Sequence, residues 1–294
     1  MRRVVGDGFE GRRLLIGSIA LLALLIADVV LIVLAMGAHV APRSPTVPEA
    51  STAPAQPPAS APAASPSQTA AEASPAVAAT RLLAAIDGTR AWRATIGTCE
   101  EPGVFEVTSD GGQTWEQAGL GVAGPVLALE PTSDGRRGIA VVGDEQCVPV
   151  AHRTFTAAIG WEPHPEQRVG SYITVDGRLI LEGVQTAAPC ETPSAGTGAG
   201  GGVVLCGGEA LARNGVGDWL PIAQGVAAIG PASEGVALAL ADGVDCDGLA
   251  VGVVVGGALQ STCAGAAIGA DVAVSAVGDQ IWLWADEAVE ILSV

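Results

Sequence analysis

Residues Leu14 to Met36 form a continuous apolar run of 23 residues, and Arg2, Arg3, Arg12 and Arg13 stand just before it. At about 1.5 Å per residue, a helix of that length crosses the roughly 30 Å hydrocarbon core with every backbone polar group bonded internally. The run therefore reads as a retained transmembrane helix. Ala35, Gly37 and Ala38 supply small residues near a cleavage point, but the apolar region of a signal peptide is only about 7 to 15 residues long. Arg12-Arg13 as a twin-arginine export signal lacks supporting context. Basic residues collect on the cytoplasmic side, so residues 1–13 are expected to be a cytoplasmic tail. Residues 14–36 are then a single-pass anchor in the cell membrane, and everything after Met36 is extracytoplasmic. Asp28 lies inside the span, where an unpaired carboxylate costs about 2.5 to 3.5 kcal/mol. It is expected to be protonated or solvated toward the outer side.

Residues 37–80 read as a disordered Pro/Ala/Ser-rich linker. From Ala41 to Ala79 the only charges are Arg43, Glu49 and Glu72, and such a segment has nothing with which to build a core. At about 3.1 Å per residue in polyproline II it would reach on the order of 100 Å, a stalk through a cell wall.

The remaining residues, 81–294, suffice for one large core. They carry 9 arginines and 26 acids, and the whole chain has no lysine and a formal charge of −17. A surface of that sign repels phosphates and lacks the clustered cations that drive nucleic-acid binding, so nucleic acid is excluded as a partner. Arginine in place of every lysine, with heavy Ala, Gly and Val usage, is the pattern of a high-GC bacterium. Short runs such as Leu82–Ile86, Gly138–Val142, Val203–Leu205, Val236–Leu240 and Ile281–Trp284 alternate with Gly, Asp and Pro turn signals at all-β spacing. No amphipathic helix follows the anchor.

All six cysteines, Cys99, Cys147, Cys190, Cys206, Cys246 and Cys263, lie beyond the anchor. An even number in an exported domain reads as disulfides. Sequence alone does not select among the fifteen connectivities of six cysteines. Short loops within a repeat favour Cys190 with Cys206 and Cys246 with Cys263, each worth about 3 kcal/mol by chain entropy, which leaves Cys99 with Cys147. No C-x-x-C pair and no nearby histidine supports zinc.

Val107 to Trp115 reads V-T-S-D-G-G-Q-T-W. In this stretch the Asp110 carboxylate can accept turn N–H bonds, Gly111 and Gly112 can take positive φ, and Trp115 can cover the hairpin. The stretch resembles the Asp-box, or BNR repeat, Ser/Thr-x-Asp-x-Gly-x-Thr-Trp, matched at Thr108, Asp110, Gly112, Thr114 and Trp115. That family includes sialidases, sortilin-type receptors and photosystem II stability/assembly factor-like proteins. The resemblance implies a β-propeller in which the box is structural and sits away from the central site. Degenerate echoes follow at Thr154–Trp161, where Thr156 replaces the acid, and at Ala212–Trp219 around Asn214, Gly215 and Gly217. Cys99, Cys147 and Cys206 precede Trp115, Trp161 and Trp219 by 16, 14 and 13 residues, which suggests a recurring unit. At about 43 residues per blade, the domain would hold about five degenerate blades. Ile281–Leu292 would pair with the first strands near Leu82 to close the ring. A sandwich or irregular solenoid is the alternative.

No catalytic constellation emerges. Sialidase chemistry in that family needs an activated tyrosine, and Tyr172 is the one tyrosine, with no spacing that marks it. Asp242, Asp245 and Asp247 fit a calcium loop poorly, with Gly243 and Val254 at ligand positions, and read as an acidic turn. Gly196, Gly198 and Gly201 form a literal G-x-G-x-x-G that leads into a strand and reads as a flexible loop. His152 and His164 flank Trp161 with Glu162 and Glu166 nearby, and read as exposed loop residues. No metal and no cofactor is expected. The expected function is an anchored extracytoplasmic module that presents a propeller to a protein or glycan partner in the envelope. The alternative is an envelope carbohydrate-active hydrolase of the same architecture.

Overall fold

The structure is a computed structural model that describes residues 80–294 except 121–123, 168–169, 192–193, 199–200, 214, 216, 242, 244–245 and 267–270. The anchor and linker assigned from sequence lie outside the described residues, as do Asp242 and Asp245 of the acidic turn.

Among the described residues, the chain forms six antiparallel sheets, each from strands consecutive in sequence. The first holds β1 (Arg81–Ala85), β2 (Ala91–Thr95), β3 (Phe105–Thr108) and β4 (Glu116–Gln117), and the second β5 (Val126–Pro131), β6 (Gly138–Gly143), β7 (Pro149–Thr154) and β8 (Trp161–Pro163). A short third sheet contains β9 (Tyr172–Ile173), β10 (Leu179–Leu181) and β11 (Val184–Thr186). The fourth holds β12 (Ser194–Gly198), β13 (Gly201–Cys206), β14 (Glu209–Arg213) and β15 (Leu220–Gln224). The fifth holds β16 (Val226–Gly230), β17 (Val236–Leu240), β18 (Ala250–Val255) and β19 (Ala258–Cys263), and the sixth β20 (Val272–Val277), β21 (Gln280–Ala285) and β22 (Ala288–Ser293). The first strand of each sheet packs against the first strands of its two neighbours, so β1, β5, β9, β12, β16 and β20 form a closed inner ring. The fold is a six-bladed β-propeller.

Six blades replace the five expected from a uniform period. Inner strands begin at residues 81, 126, 172, 194, 226 and 272, so the third and fourth blades are compressed while the first, second and fifth keep a period near 45, and the three strands of the sixth fit within residues 272–293. The third blade achieves this with strands of only two or three residues. Ring closure also differs from expectation. β21 and β22 pair only with the sixth sheet's own strands, so among the described residues no strand is exchanged between the first and last blades. The seam is instead made by single bonds between blades: Ala85 N donates to Ser275 Oγ at 2.9 Å, and Trp282 Nε1 donates to the Asp87 carbonyl at 3.1 Å. Arg81 and Thr80 both reach Asp271.

Alternation along each strand sends neighbouring side chains to opposite blade interfaces. The buried apolar residues accordingly fall into six clusters, one per interface. Between the first and second blades, Trp92, Phe105 and Trp161 meet edge to face with centroids 5.5 to 5.6 Å apart. Between the sixth and first, the fully buried Trp282 packs with Trp284 and Leu83. Arg93 lies 4.1 Å from the Trp115 ring and 4.7 Å from that of Trp284, and its Nε holds Glu106 at 2.7 Å. The scarcity of phenylalanine and tyrosine is thus offset by tryptophans at the first blade's two interfaces. The cluster between the second and third blades is the smallest, with Leu127, Ala128 and Val141 against Tyr172.

Candidate functional site

Two turns joining the third and fourth strands of their blades share one hydrogen-bond scaffold. In the first blade, Asp110 Oδ1 accepts Thr114 N at 3.0 Å and Oδ2 accepts Thr114 Oγ1 at 2.6 Å. Thr108 Oγ1 accepts Gly112 N at 3.1 Å, and Trp115 Nε1 donates to the Gly112 carbonyl at 3.1 Å. Gly111 and Gly112 both have φ of 78°, in the left-handed region that favours glycine. The bonds from Thr114, side chain and backbone, hold the Asp110 carboxyl down at about 2. In the second blade, the buried Thr154 Oγ1 accepts Ala158 N at 3.2 Å, and Trp161 Nε1 donates to the Ala158 carbonyl at 3.1 Å. Thr156 Oγ1 stands in for the carboxylate and accepts Gly160 N at 2.9 Å. Ala157 and Ala158 take φ of 54° and 67° without being glycine. Of the third echo, Trp219 packs beneath the fourth blade, with the Arg213 guanidinium 5.8 Å from its ring.

The three disulfides are Cys99–Cys147, Cys190–Cys206 and Cys246–Cys263, with Cα–Cα distances of 5.7, 6.0 and 5.4 Å. Cys99, Cys147 and Cys246 lie in the connections between second and third strands, and Cys206 ends the second strand of its blade. The recurring unit read from spacing therefore corresponds to a repeated place in the blade. The Cys99–Cys147 bridge ties the first blade to the second, and its longer loop is worth about 4 kcal/mol by chain entropy.

Other residues fall where sequence reading did not put them. His152 is buried on β7, and desolvation lowers its pKa, so it is not an exposed loop residue. His164 is part-exposed, with its Nε2 4.0 Å from Glu162. Gly196 and Gly198 belong to β12 and Gly201 opens β13, so the G-x-G-x-x-G forms a strand pair and not a loop. Ile229 packs 3.2 Å from where a Cβ on Gly196 would lie, so that residue is small for packing reasons. Tyr172 is half-buried, and its hydroxyl pKa is raised by burial against the opposing Arg178 charge, the reverse of an activated nucleophile. No cluster of metal-ligating side chains occurs among the described residues.

The central channel is nearly filled. Its cavity is about 50 Å³, lined by inner-strand residues such as Leu83, Leu127, Ile229 and Val274, with Arg81 its charged member. At the end where the inner strands finish, here the exit face, a wider hollow of about 280 Å³ is lined by Ile86, Leu129, Glu130, Ser233 and Val277 among others. Glu130 is mostly buried there, which raises its pKa.

The turns between first and second strands, also on the exit face, share a device that the sequence reading missed. Thr132 Oγ1 donates to Asp134 Oδ1 at 2.7 Å, which also accepts Arg136 N at 2.9 Å, and Thr174 Oγ1 donates to Asp176 at 2.5 Å. Gly135 and Gly177 then turn the chain at φ of 67° and 81°. The signal was present in the sequence as Thr-x-Asp-Gly at Thr132 and Thr174. Asp87 does the same work in the first blade: burial raises its pKa, but bonds from Thr89 and Arg90 prevail and bring it to about 2. Asp134 and Asp176 are likewise lowered, first by their threonine hydroxyls. These three acids are committed to turn structure and to Arg90, Arg137 and Arg178.

The exit face therefore collects Arg90, Arg136, Arg137 and Arg178. It also exposes Phe155, Ile159 and Val175. The opposite, entry face carries the connections between second and third strands, with Glu100, Glu101, Asp144, Glu145, Asp286 and Glu287. The chain enters the domain at that acidic end, at Thr80.

No protein-family model matches the chain, and no curated protein matches it. Solved structures that resemble it include YCF48 bound to D1 peptide, at a TM-score of 0.38 and 14% identity over 74% of this chain and 78% of that one. YCF48 from Cyanidioschyzon merolae gives a TM-score of 0.39 at 12% identity, covering 73% of this chain and 96% of that one. A GH74 enzyme from Niastella koreensis gives 0.36 at 15% identity over 71% of this chain, which spans 36% of the enzyme.

Proposed function

We propose that this chain is a membrane-anchored, extracytoplasmic binding or assembly module. In this reading, residues 14–36 hold it in the bilayer, residues 37–80 serve as a stalk, the Thr108–Trp115 turn is an Asp-box, and the exit face receives a protein or glycan partner in the envelope. One observation carries the reading: the channel is narrow and mostly apolar, and Asp87, Asp134 and Asp176 around its exit mouth are spent on turns. A glycoside hydrolase needs two carboxylates set across a substrate, and Glu130 is the one acid that lines the hollow at the channel mouth among the described residues. The exit face instead combines arginine with exposed apolar side chains, a composition that favours macromolecular contacts.

The test is photo-cross-linking of the full-length chain in its own membrane, with mass spectrometry as readout. A photoreactive residue suits this chain because it has no lysine for amine-directed reagents. Enrichment of the same protein or glycan from exit-face positions, and not from entry-face positions, is expected. Equal labelling from both ends, or none above control, overturns the reading.

A further inference from the structure

The hollow at the exit end of the channel, about 280 Å³, is bordered by the first, second, fifth and sixth blades. Its lining is apolar, from Ile86, Leu129, Pro231 and Val277 among others, or hydroxylic, from Ser133 and Ser233. Among the described residues Glu130 is the one charged side chain in that lining. Its carboxylate is mostly buried and makes no hydrogen bond or ion pair among the described residues. Burying a carboxylate without a partner is costly, and that burial raises its pKa.

The charges around the hollow agree in sign with Glu130. In the turns between first and second strands, Asp87, Asp134 and Asp176 neutralise Arg90, Arg137 and Arg178. Arg136 lines a different depression, the groove between the first and second blades. Across the mouth, Glu234 and Asp279 are exposed and form no ion pair among the described residues. They stand in neighbouring turns of the fifth and sixth blades, joined where Gly278 N donates to Ser233 Oγ at 3.1 Å. These turns and the hollow thus present three unpaired acids, Glu130, Glu234 and Asp279, against one unpaired arginine, Arg136. A cation is attracted there and an anion repelled.

Size narrows the choice of cation. Pockets for drug-sized ligands run from about 300 to 1,000 Å³, so this hollow has room for one side chain and none for an oligosaccharide. Calcium takes about six to eight oxygen ligands, and no cluster of metal-ligating side chains occurs among the described residues. Lysine and arginine suit the lining, because their methylene stems pack on apolar surface while the charged head reaches a carboxylate. We propose that the hollow receives the side chain of a lysine or arginine from a partner protein, its head paired with Glu130 and its stem against Ile86, Leu129 and Val277. The proposal rests on the proposed function, since it names what the exit face reads in its partner.

A random peptide library displayed on phage and panned on the detergent-solubilised full-length chain tests it. Enriched peptides should share a lysine or arginine, and replacing that residue by norleucine or citrulline should weaken binding at least about tenfold in fluorescence anisotropy. Glu130→Gln should cause a similar loss and should erase the difference between the charged peptide and its neutral analogue, the signature of a direct pair. Its Tm should not fall, since the substitution removes an unpaired buried charge. Ser133→Trp, at the exposed rim of the hollow, should block the same peptides with Glu130 intact. Enrichment of acidic peptides, no enrichment, or a preference for the charged peptide that survives Glu130→Gln overturns the proposal. Cross-linking in the native membrane separates this failure from that of the wider reading. If the variant carrying both substitutions still captures the wild-type partner, the module stands and the hollow is the wrong surface. If the wild type captures none, the module itself fails.

Discussion

The Thr108–Trp115 and Thr154–Trp161 turns reach the same geometry by different chemistry. The first uses an ionised carboxylate and two glycines; the second uses a threonine hydroxyl and two alanines held at positive φ. What both retain is the first threonine, whose oxygen collects turn N–H groups, and the tryptophan, whose indole closes the turn on a carbonyl. The comparison separates the parts a blade turn needs for packing from those that only improve its local stability. Once Thr154 and Trp161 are anchored in the interface with Trp92 and Phe105, the residues between them can change.

The largest effect should come from the shared anchor. Trp161→Ala removes one of three rings from the cluster between the first two blades and should cost about 3 kcal/mol in urea unfolding, the low end for a tryptophan because its ring is only partly buried. Trp115→Ala should cost less, since its ring stacks on Arg93 and packs at the margin of the Trp282–Trp284 cluster without an edge-to-face aromatic pair among the described residues. The reverse order would mean that the packing of the second turn is not what excuses its poorer chemistry.

Next in size is acid sensitivity, which only the first turn possesses. The Asp110 pKa is depressed to about 2 from an ordinary 3.8, so its contribution is fully present above the ordinary value and is lost as pH falls through about 2. Thr156 does not titrate. Asp110→Asn should lower Tm at neutral pH and make Tm fall less steeply between about pH 4 and 2 than in the wild type. The residual slope belongs to Asp87, Asp134 and Asp176, which are lowered in the same direction. Parallel Tm-pH curves for the two proteins would remove the carboxylate's role.

The smallest effect carries the opposite sign. Ala157 is exposed at φ of 54°, so Ala157→Gly relieves a left-handed strain of roughly 1 to 2 kcal/mol at an entropic cost of about 0.4 to 1. It should therefore stabilise the fold by about 0.5 to 1 kcal/mol. Ala158→Gly should be neutral, because its methyl is buried and worth about 0.8 kcal/mol. A loss of stability in Ala157→Gly would show that the strain is absent.

Much of the fold was legible. The runs at Leu82, Gly138, Val203, Val236 and Ile281 are strands, and the disulfide pairing expected from loop length is the one observed. The blade count was not legible, because a fixed period assumes equal blades, and strands of two or three residues in the third blade carry too little alternation to register. His152 is followed by Arg153 and Thr154 in sequence, yet β7 buries it with Ala151. The exit-face turns carry a sequence signal of their own, Thr-x-Asp-Gly at Thr132 and Thr174, shorter and less specific than the pattern at Thr108.

Local chemistry belongs to the sequence by itself: where strands form, which turns glycine and aspartate make, and which cysteines lie within reach through short loops. These depend on neighbours a few residues apart, so composition and spacing suffice to state them. Tertiary structure alone decided the number of blades, the narrowing of the channel to a cavity of about 50 Å³, and the gathering of arginines and exposed apolar residues at one end of the ring. Those outcomes depend on which side of each strand meets which neighbouring blade. That choice is made by burial across the ring, between residues as far apart in sequence as Ala85 and Ser275.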